Sequence, residues 1–430
     1  MPKRAIEQGI LVFPASAATH VQVAGRTLLQ RGIRTMASAG IKRVLVVLPP
    51  GHAPSDKSLV PDLDIQVEQT TPEAARLPNA SFLLLRGDCV HHHSSLQALI
   101  DAGLQRDDLV AQTSDSGRVS SGAFLCAPSA LPSDALTGDL WSSLAARPHR
   151  REDIALHLWQ RVIDKRSARA AKNMLFDQVS KATSGTVARL LNVRISVPIS
   201  KLIVDTGISP NMVTFFMVLC PGLFAAYLAT QPDDYLRLVC AGVLWQLASI
   251  LDGCDGEIAR VKLAETKFGA WFDTVTDNLA YLCGYAALMA GMWHLYPDNY
   301  LPIYAGISAI ASMVLTLVLL YSYALKTGTG SLQYYLGDLG NKVPDGEKDW
   351  SYRFLERAGF ITKRDFLSLF IAIGLVANLL PVVYWLLVIL IHSAALGVLT
   401  THYRLMGNQR AAERRIASLP APAVNPEEAA

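Results

Sequence analysis

The sequence predicts a chain in two parts: an α/β soluble N-terminal domain built on a parallel sheet, followed by an all-α domain of six transmembrane helices. Three observations predict it. Apolar runs of about twenty residues, long enough to cross a bilayer core, occur only after Asn211. Before that point short strand-like apolar runs alternate with helical ones, the rhythm of a parallel sheet with crossover helices. The composition fits both parts, since 51% of the 430 residues are hydrophobic and only 17% are charged.

In the first part ILVFPA, RVLVVLP, DIQVEQ, SFLLLRGD, DLVAQT and GAFLCA read as strands, and TLLQRGIRTMASAG and SLQALIDAG read as helices. Together they define an α/β domain over residues 1–148. Lys3 and Arg4 precede an apolar stretch too short for a secretory signal, so ILVFPASAA is expected to be the first strand. Residues 149–208 are expected to form a basic linker of helices, ending in an interfacial helix, TSGTVARLLNVRISVPISKLIV, on the membrane surface. A net charge of +3 and the adjoining spans exclude a nucleic-acid partner for the basic run. The six cysteines show no CxxC pairing and are expected to be reduced thiols.

The membrane domain is expected over 209–408 and a disordered tail over 409–430. Spans are expected at 211–230, 236–252, 270–295 and 301–325, with 365–406 long enough for two. Six spans put both termini on one side. The 326–364 loop carries Lys342, Lys348, Arg353, Arg357 and Lys363, and the tail carries Arg404, Arg410, Arg414 and Arg415, whereas QPDD and PDNY carry no basic residue. The positive-inside rule therefore predicts a multi-pass protein of the inner (cytoplasmic) membrane with both termini in the cytoplasm. Trp293, Tyr296 and Tyr300 fall where an interfacial belt belongs.

Inside this apolar sequence lies LDGCDGEIARVKLAETKFGAWFDTVTD, or Asp252-x2-Asp255-Gly256-x2-Ala259-Arg260-x8-Gly269-x3-Asp273-x3-Asp277. Carboxylates beside the hydrocarbon core are costly and demand a counter-charge. Asp252 and Asp255 share one helical face, as do Asp273 and Asp277 on the next helix. Two hard, all-oxygen pairs converging across a tight turn suit Mg²⁺ or Mn²⁺. Gly256, Ala259 and Gly269 allow close approach to the backbone, and Arg260 offers a fork for phosphate. A membrane scaffold or an ion-binding transporter would use the aspartates too, but would not need Arg260 and the small residues around it.

These residues and spacings resemble the signature of the CDP-alcohol phosphotransferases, with all eight positions present from Asp252 to Asp277. The resemblance runs from about Ile195 to Leu282. It implies an enzyme that moves a substituted phosphate from a CDP-alcohol to an acceptor alcohol and releases CMP, in phospholipid or polyol-phosphodiester synthesis. It implies two divalent metals on Asp252, Asp255, Asp273 and Asp277, with Asp277 as general base, and a CDP pocket lined by Gly256, Ala259, Arg260 and Gly269. Ser209-Pro210-Asn211-x-Val213-Thr214 looks like the segment opening the first span in relatives, which adds Asn211 and Thr214 to that pocket. It further implies a homodimer embedded in the lipid bilayer. Lys342 and Arg364 are candidate contacts for the acceptor.

A second resemblance covers the first domain. VAGRTLLQRGIRTMASAGIKRVLVV, NASFLLLRGDCV and SSGAFLCAPSAL look like sections of sugar-phosphate nucleotidyltransferases, in which the aspartate at the place of Asp88 holds a metal. Archaeal inositol-phosphate cytidylyltransferases fused to a CDP-alcohol phosphotransferase share this order. It favours a CDP-inositol-like donor, although CDP-diacylglycerol fits the signature equally. The chain departs where it matters. Pro14-Ala15-Ser16-Ala17-Ala18-Thr19-His20 stands where such enzymes have a glycine-rich, basic loop for the triphosphate, so a catalytically inert domain is expected. His91, His92 and His93 are expected on a solvated loop.

The charge pattern predicts a labelling result. With native cysteines replaced, a cysteine introduced at Asp298 is labelled by an impermeant thiol reagent in intact cells, and one at Glu347 is shielded. The reverse pattern would invert the topology.

Overall fold

The computed structural model describes residues 6–15, 19–49, 52, 59–104, 108–114, 119–132, 135–137, 139–147, 149–154, 158–181, 191–327 and 364–417. The chain divides into two compact units, Met1–Thr214 with Ile250–Asp273, and Phe215–Ser249 with Thr274–Ala430.

The first unit is built on a seven-stranded sheet in the order β10 (Arg150–Asp153), β8 (Leu109–Ser114), β9 (Val119–Cys126), β6 (Phe82–Arg86), β1 (Gln8–Val12), β4 (Arg43–Val47) and β5 (Gln66–Thr70), while β2 (Gln22–Val23) and β3 (Arg26–Thr27) pair as a separate ribbon. At its centre β1 (Gln8–Val12) runs parallel to β4 (Arg43–Val47) and β6 (Phe82–Arg86), and β4 to β5 (Gln66–Thr70). The inner strands are apolar on both faces because both faces are covered, as parallel sheets require. The sheet is nevertheless mixed, because β9 (Val119–Cys126) lies antiparallel between β6 and β8 (Leu109–Ser114). Every segment read as strand or helix in residues 1–148 forms that element, including α1 (Leu28–Ser38) and α2 (His93–Ala102). Thr27 starts α1 with a reciprocal capping box: its side chain accepts from Gln30 N–H while the Gln30 side chain accepts from Thr27 N–H.

Two expectations change here. The stretch beyond residue 148 does not begin as helix: β10 (Arg150–Asp153) extends the sheet in parallel beside β8, and β11 (Trp159–Arg161) pairs antiparallel with β7 (Cys89–His91). Alternating side chains fit these sheet edges, and helix resumes only with α4 (Lys165–Lys181). The three histidines are not a solvated loop. His91 is buried in β7, with burial pushing its pKa down to about 4, and His92 accepts from Ser94 N–H to cap α2.

Short α3 (Leu140–Ala146) completes the sheet domain, and α5 (Val193–Ile203) follows α4 in sequence. Helix then continues as α6 (Pro210–Val213), a π-helical turn over Thr214–Leu219, and α7 (Cys220–Ala229). Pro221 has no N–H to return to the preceding turn, which accounts for an irregular ladder there. The remaining helices are α8 (Tyr235–Lys262), α9 (Lys267–Leu295), α10 (Leu301–Thr327), α11 (Arg364–Val376) and α12 (Leu380–Ala417). The 365–406 stretch does break into two helices, at Asn378 with φ +59°, where Leu379 N–H returns to Gly374 O at 2.8 Å.

Among the described residues four helices are long and apolar enough to cross a membrane: Pro210–Ala229, Tyr235–Lys262, Leu301–Ser322 and Leu380–Thr400. Four, not six, meet that standard. In α9 Asn278, tyrosines and His294 interrupt the apolar run, and the 13 residues of α11 rise only about 20 Å against a core of about 30 Å.

The core of the second unit centres on Trp245, Tyr285 and Tyr384 with Leu238, Leu288 and Leu380. Small residues let its helices approach closely: a Cβ on Gly291 would stand 2.6 Å from the Ala229 carbonyl oxygen. Gly291→Val should therefore destabilise the helical unit by about 1–3 kcal/mol, read as a lower unfolding midpoint in detergent. An unchanged midpoint would contradict this close approach.

Candidate functional site

The site forms around the turn between α8 and α9. The last turn of α8 closes when Leu263 adopts φ +49° and Ala264 N–H donates to Ala259 O at 2.9 Å. Two residues after Ala264, Thr266 Oγ1 accepts from Gly269 N–H at 2.9 Å and starts α9. This tight reversal brings one carboxylate oxygen each from Asp252, Asp255 and Asp273 within 4.8 Å of one another. Asp255 is the most enclosed. Thr214, in the π-helical turn, donates its hydroxyl to Asp255 Oδ2, and Gly256 N–H lies 2.5 Å from Oδ1.

The donor set fits a divalent cation. All three ligands are hard carboxylate oxygens, and an octahedral Mg²⁺ with bonds of about 2.1 Å sets its ligand oxygens roughly 3–4 Å apart. Lys262 does not neutralise the cluster, because its ammonium donates to Thr206 O and Ile208 O at 3.3 and 3.4 Å.

A cavity of about 560 Å³ opens beside the carboxylates. Asn211, Thr214, Asp255, Gly256, Ala259, Gly269 and Asp273, seven of the ten residues read from the sequence, line it. The geometry gives two glycines a reason. The Arg260 guanidinium folds back over Gly256, with Nη1 3.2 Å from where a Cβ would sit, and the Asn211 amide oxygen stands 3.3 Å from the same point on Gly269. Asp277 belongs to the second unit, where the Arg364 guanidinium at the start of α11 donates to its Oδ2. Lys342 lies outside the described residues.

Several residues of this site were not read from the sequence. Glu257 is buried beside the cluster and accepts from Ser196 Oγ at 2.6 Å. More unexpected is the contribution of the sheet domain. Arg31 of α1 is fully enclosed, donating to Val23 O through Nε and Nη2 and to Val261 O through Nη1 at 3.0 Å. Arg34 donates to Leu263 O at 2.9 Å and pairs with Asp62. Two guanidinium groups thus cap the C-terminal carbonyls of the helix that carries Asp252 and Asp255. Burial, with repulsion from Arg26 and Arg34, brings the Arg31 pKa down to about 10, so it stays charged at neutral pH. The Arg34 hydrogen bond holds the Asp62 carboxyl below its ordinary range. Gly25 N–H donates to Asp205, which also pairs with Lys172 at 2.6 Å. The available signal was two arginines three apart on one face of α1.

In the sheet domain Asp88 is buried between Arg86 Nε at 2.7 Å and Arg161 Nε at 2.9 Å, one guanidinium on each oxygen. Its charge is already compensated.

The family model for CDP-alcohol phosphatidyltransferases matches residues 207–399. The chain is a CDP-alcohol phosphotransferase with, among the described residues, four helices long and apolar enough to cross a membrane. It is 24% identical over 322 residues to a protein of Aquifex aeolicus named bifunctional IPC transferase and DIPP synthase, covering 64% of this chain and 74% of that one. A protein of the same name from Rubrobacter xylanophilus is 28% identical over 307 residues, covering 60% and 69%. One from Thermococcus kodakarensis is 34% identical over 142 residues, covering 32% and 31%. Among solved structures, the inositol-1-phosphate CTP transferase from T. maritima superposes with a TM-score of 0.31 at 13% identity, covering 42% of this chain and 99% of that one.

The paired state of Asp88 yields an expectation for the full-length phosphotransferase. Incubated with CTP and a panel of polyol phosphates it should release no pyrophosphate, and Asp88→Ala should leave that baseline unchanged. Release that disappears in Asp88→Ala would reveal a working second site.

Proposed function

We propose that the chain is a metal-dependent transferase of the inner (cytoplasmic) membrane that moves a substituted phosphate from a CDP-alcohol to an acceptor hydroxyl and releases CMP. The observation that carries it is the convergence of Asp252, Asp255 and Asp273 beside a cavity lined by Asn211, Gly256, Ala259 and Gly269. Asp252, Asp255 and Asp273 would hold two Mg²⁺ or Mn²⁺ ions. When bound, these ions neutralise the pyrophosphate and the charge that develops on departing CMP.

The protein's own groups do the rest. Arg260 and the small residues hold the CDP moiety, and Asn211 and Thr214 close the cavity wall above Asp255. Asp277 accepts the proton of the acceptor hydroxyl as that oxygen attacks phosphorus in line with the departing CMP oxygen. Its carboxylate pairs with the Arg364 guanidinium, and an acceptor bearing a phosphate would compete for that guanidinium. The donor is CDP-inositol-like or CDP-diacylglycerol. The names of the relatives, which speak of an IPC transferase and a DIPP synthase, support a polyol-phosphate acceptor. Six spans, cytoplasmic termini and a homodimer complete the reading, with the domain over 1–148 inert in nucleotidyl transfer.

Asp252→Asn, Asp255→Asn and Asp273→Asn should each cut CMP release by 10³-fold or more, on the order expected when a group that stabilises transition-state charge is lost. Asp277→Asn should bind CDP-alcohol as the wild type does and fail in turnover. Equal loss of donor binding in all four variants would sink this division of roles.

A further inference from the structure

The cavity beside the carboxylates has a wall that the helical signature does not supply. Gly25 and Arg26 of the sheet domain, together with Asp62, line it along with Asn211, Asp255 and Gly269. Arg26 differs from the two arginines behind it. Arg31 and Arg34 are spent on carbonyl oxygens and on Asp62, whereas Arg26 has no carboxylate or carbonyl acceptor among the described residues. Its Nε is buried without a hydrogen-bond partner.

That arrangement is electrostatically incomplete. A half-buried guanidinium beside Arg31 and Arg34 feels one carboxylate among the described residues, Asp62, and that carboxylate is already paired with Arg34. A phosphate in the cavity would supply the missing charge and accept from a planar fork of donors. Two ligands of the proposed reaction carry phosphate: the cytidine nucleotide and a phosphorylated acceptor. The nucleotide is the better occupant, because Arg26 shares its cavity with the residues assigned to the CDP moiety.

We propose that Arg26 binds a phosphate of the cytidine nucleotide, so that the sheet domain completes the donor site of the phosphotransferase without performing nucleotidyl transfer itself. This rests on reading the cavity as the CDP-alcohol site. Arg31 and Arg34 hold the domain against the end of α8, and Arg26 reaches the ligand from it. A domain without a triphosphate loop thereby remains necessary to the membrane enzyme.

The test uses full-length protein in detergent with Mg²⁺ and titrates CMP, cytidine and inositol 1-phosphate into wild type, Arg26→Gln and Arg26→Lys. The expected result is a CMP Kd raised at least tenfold in Arg26→Gln and partly restored in Arg26→Lys, with weak cytidine binding and inositol 1-phosphate binding unchanged. In turnover, KM for the CDP-alcohol rises while KM for the acceptor stays. Unchanged CMP binding in Arg26→Gln would overturn the proposal, as would equal weakening of CMP and cytidine, which marks a damaged cavity. A shift confined to inositol 1-phosphate would overturn it in favour of the acceptor. Failure of the wild type to bind CMP at all would instead remove the reading of the cavity on which the proposal stands.

Discussion

Three carboxylate oxygens confined within 4.8 Å of one another are the constraint on which the site depends. At an effective dielectric of about 20, each pair of charges at that separation repels by roughly 3 kcal/mol. Such a cluster is held together by what surrounds it. Thr214 and the Gly256 N–H donate to the two oxygens of Asp255, and a divalent cation would turn mutual repulsion into shared attraction. The π-helical turn over Thr214–Leu219 fits this role, since departures from α geometry recur at functional sites and this one carries the hydroxyl that meets Asp255.

The second requirement is a fixed end for α8. A helix that presents two of its aspartates in its last three turns must finish in one way only, and its terminal carbonyls need donors. Arg31 and Arg34 supply them at Val261 O and Leu263 O, and positive charge at a helix C-terminus also favours the macrodipole. Leu263 holds a left-handed conformation that costs a β-substituted residue something, and the Arg34 bond to its carbonyl offsets part of that cost. A sheet domain that lacks a glycine-rich triphosphate loop, and whose Asp88 is neutralised by Arg86 and Arg161, thus still has a physical task.

Much of this was legible in the chain. Strand runs such as SFLLLRGD and helical runs such as TLLQRGIRTMASAG are short, strongly patterned and locally decided, and they form as read. The signature was legible because carboxylates are too costly in apolar sequence to be there by chance. What escaped was set by partners distant in the chain. Arg31 looks like an ordinary surface residue of an amphipathic helix until Val261, 230 positions away, is placed against it. The strands at Arg150–Asp153 and Trp159–Arg161 were hidden in a basic stretch, because edge strands are chosen by the sheet they join more than by their own composition. In α9 tyrosines, Asn278 and His294 dilute the apolar run, so that helix is not among the four that are long and apolar enough to cross a membrane.

Within α9 a single helical turn separates Asp273 from Asp277, yet the two carboxylates have different company. Asp273 joins the oxygen cluster of the first unit, and Asp277 meets the Arg364 guanidinium in the second. Position four residues apart puts both on one face, so spacing alone makes them look equivalent. Their neighbours do not. A carboxylate among other carboxylates is a ligand in waiting, because only a cation relieves it. One beside an arginine already has its counter-charge, and a carboxylate is the form that can take a proton. In the proposed reaction the arginine must be drawn off before the proton is taken. A phosphorylated acceptor arriving at Arg364 would do both at once, bringing the hydroxyl and freeing the base that activates it, so that the base becomes available when the substrate is in place.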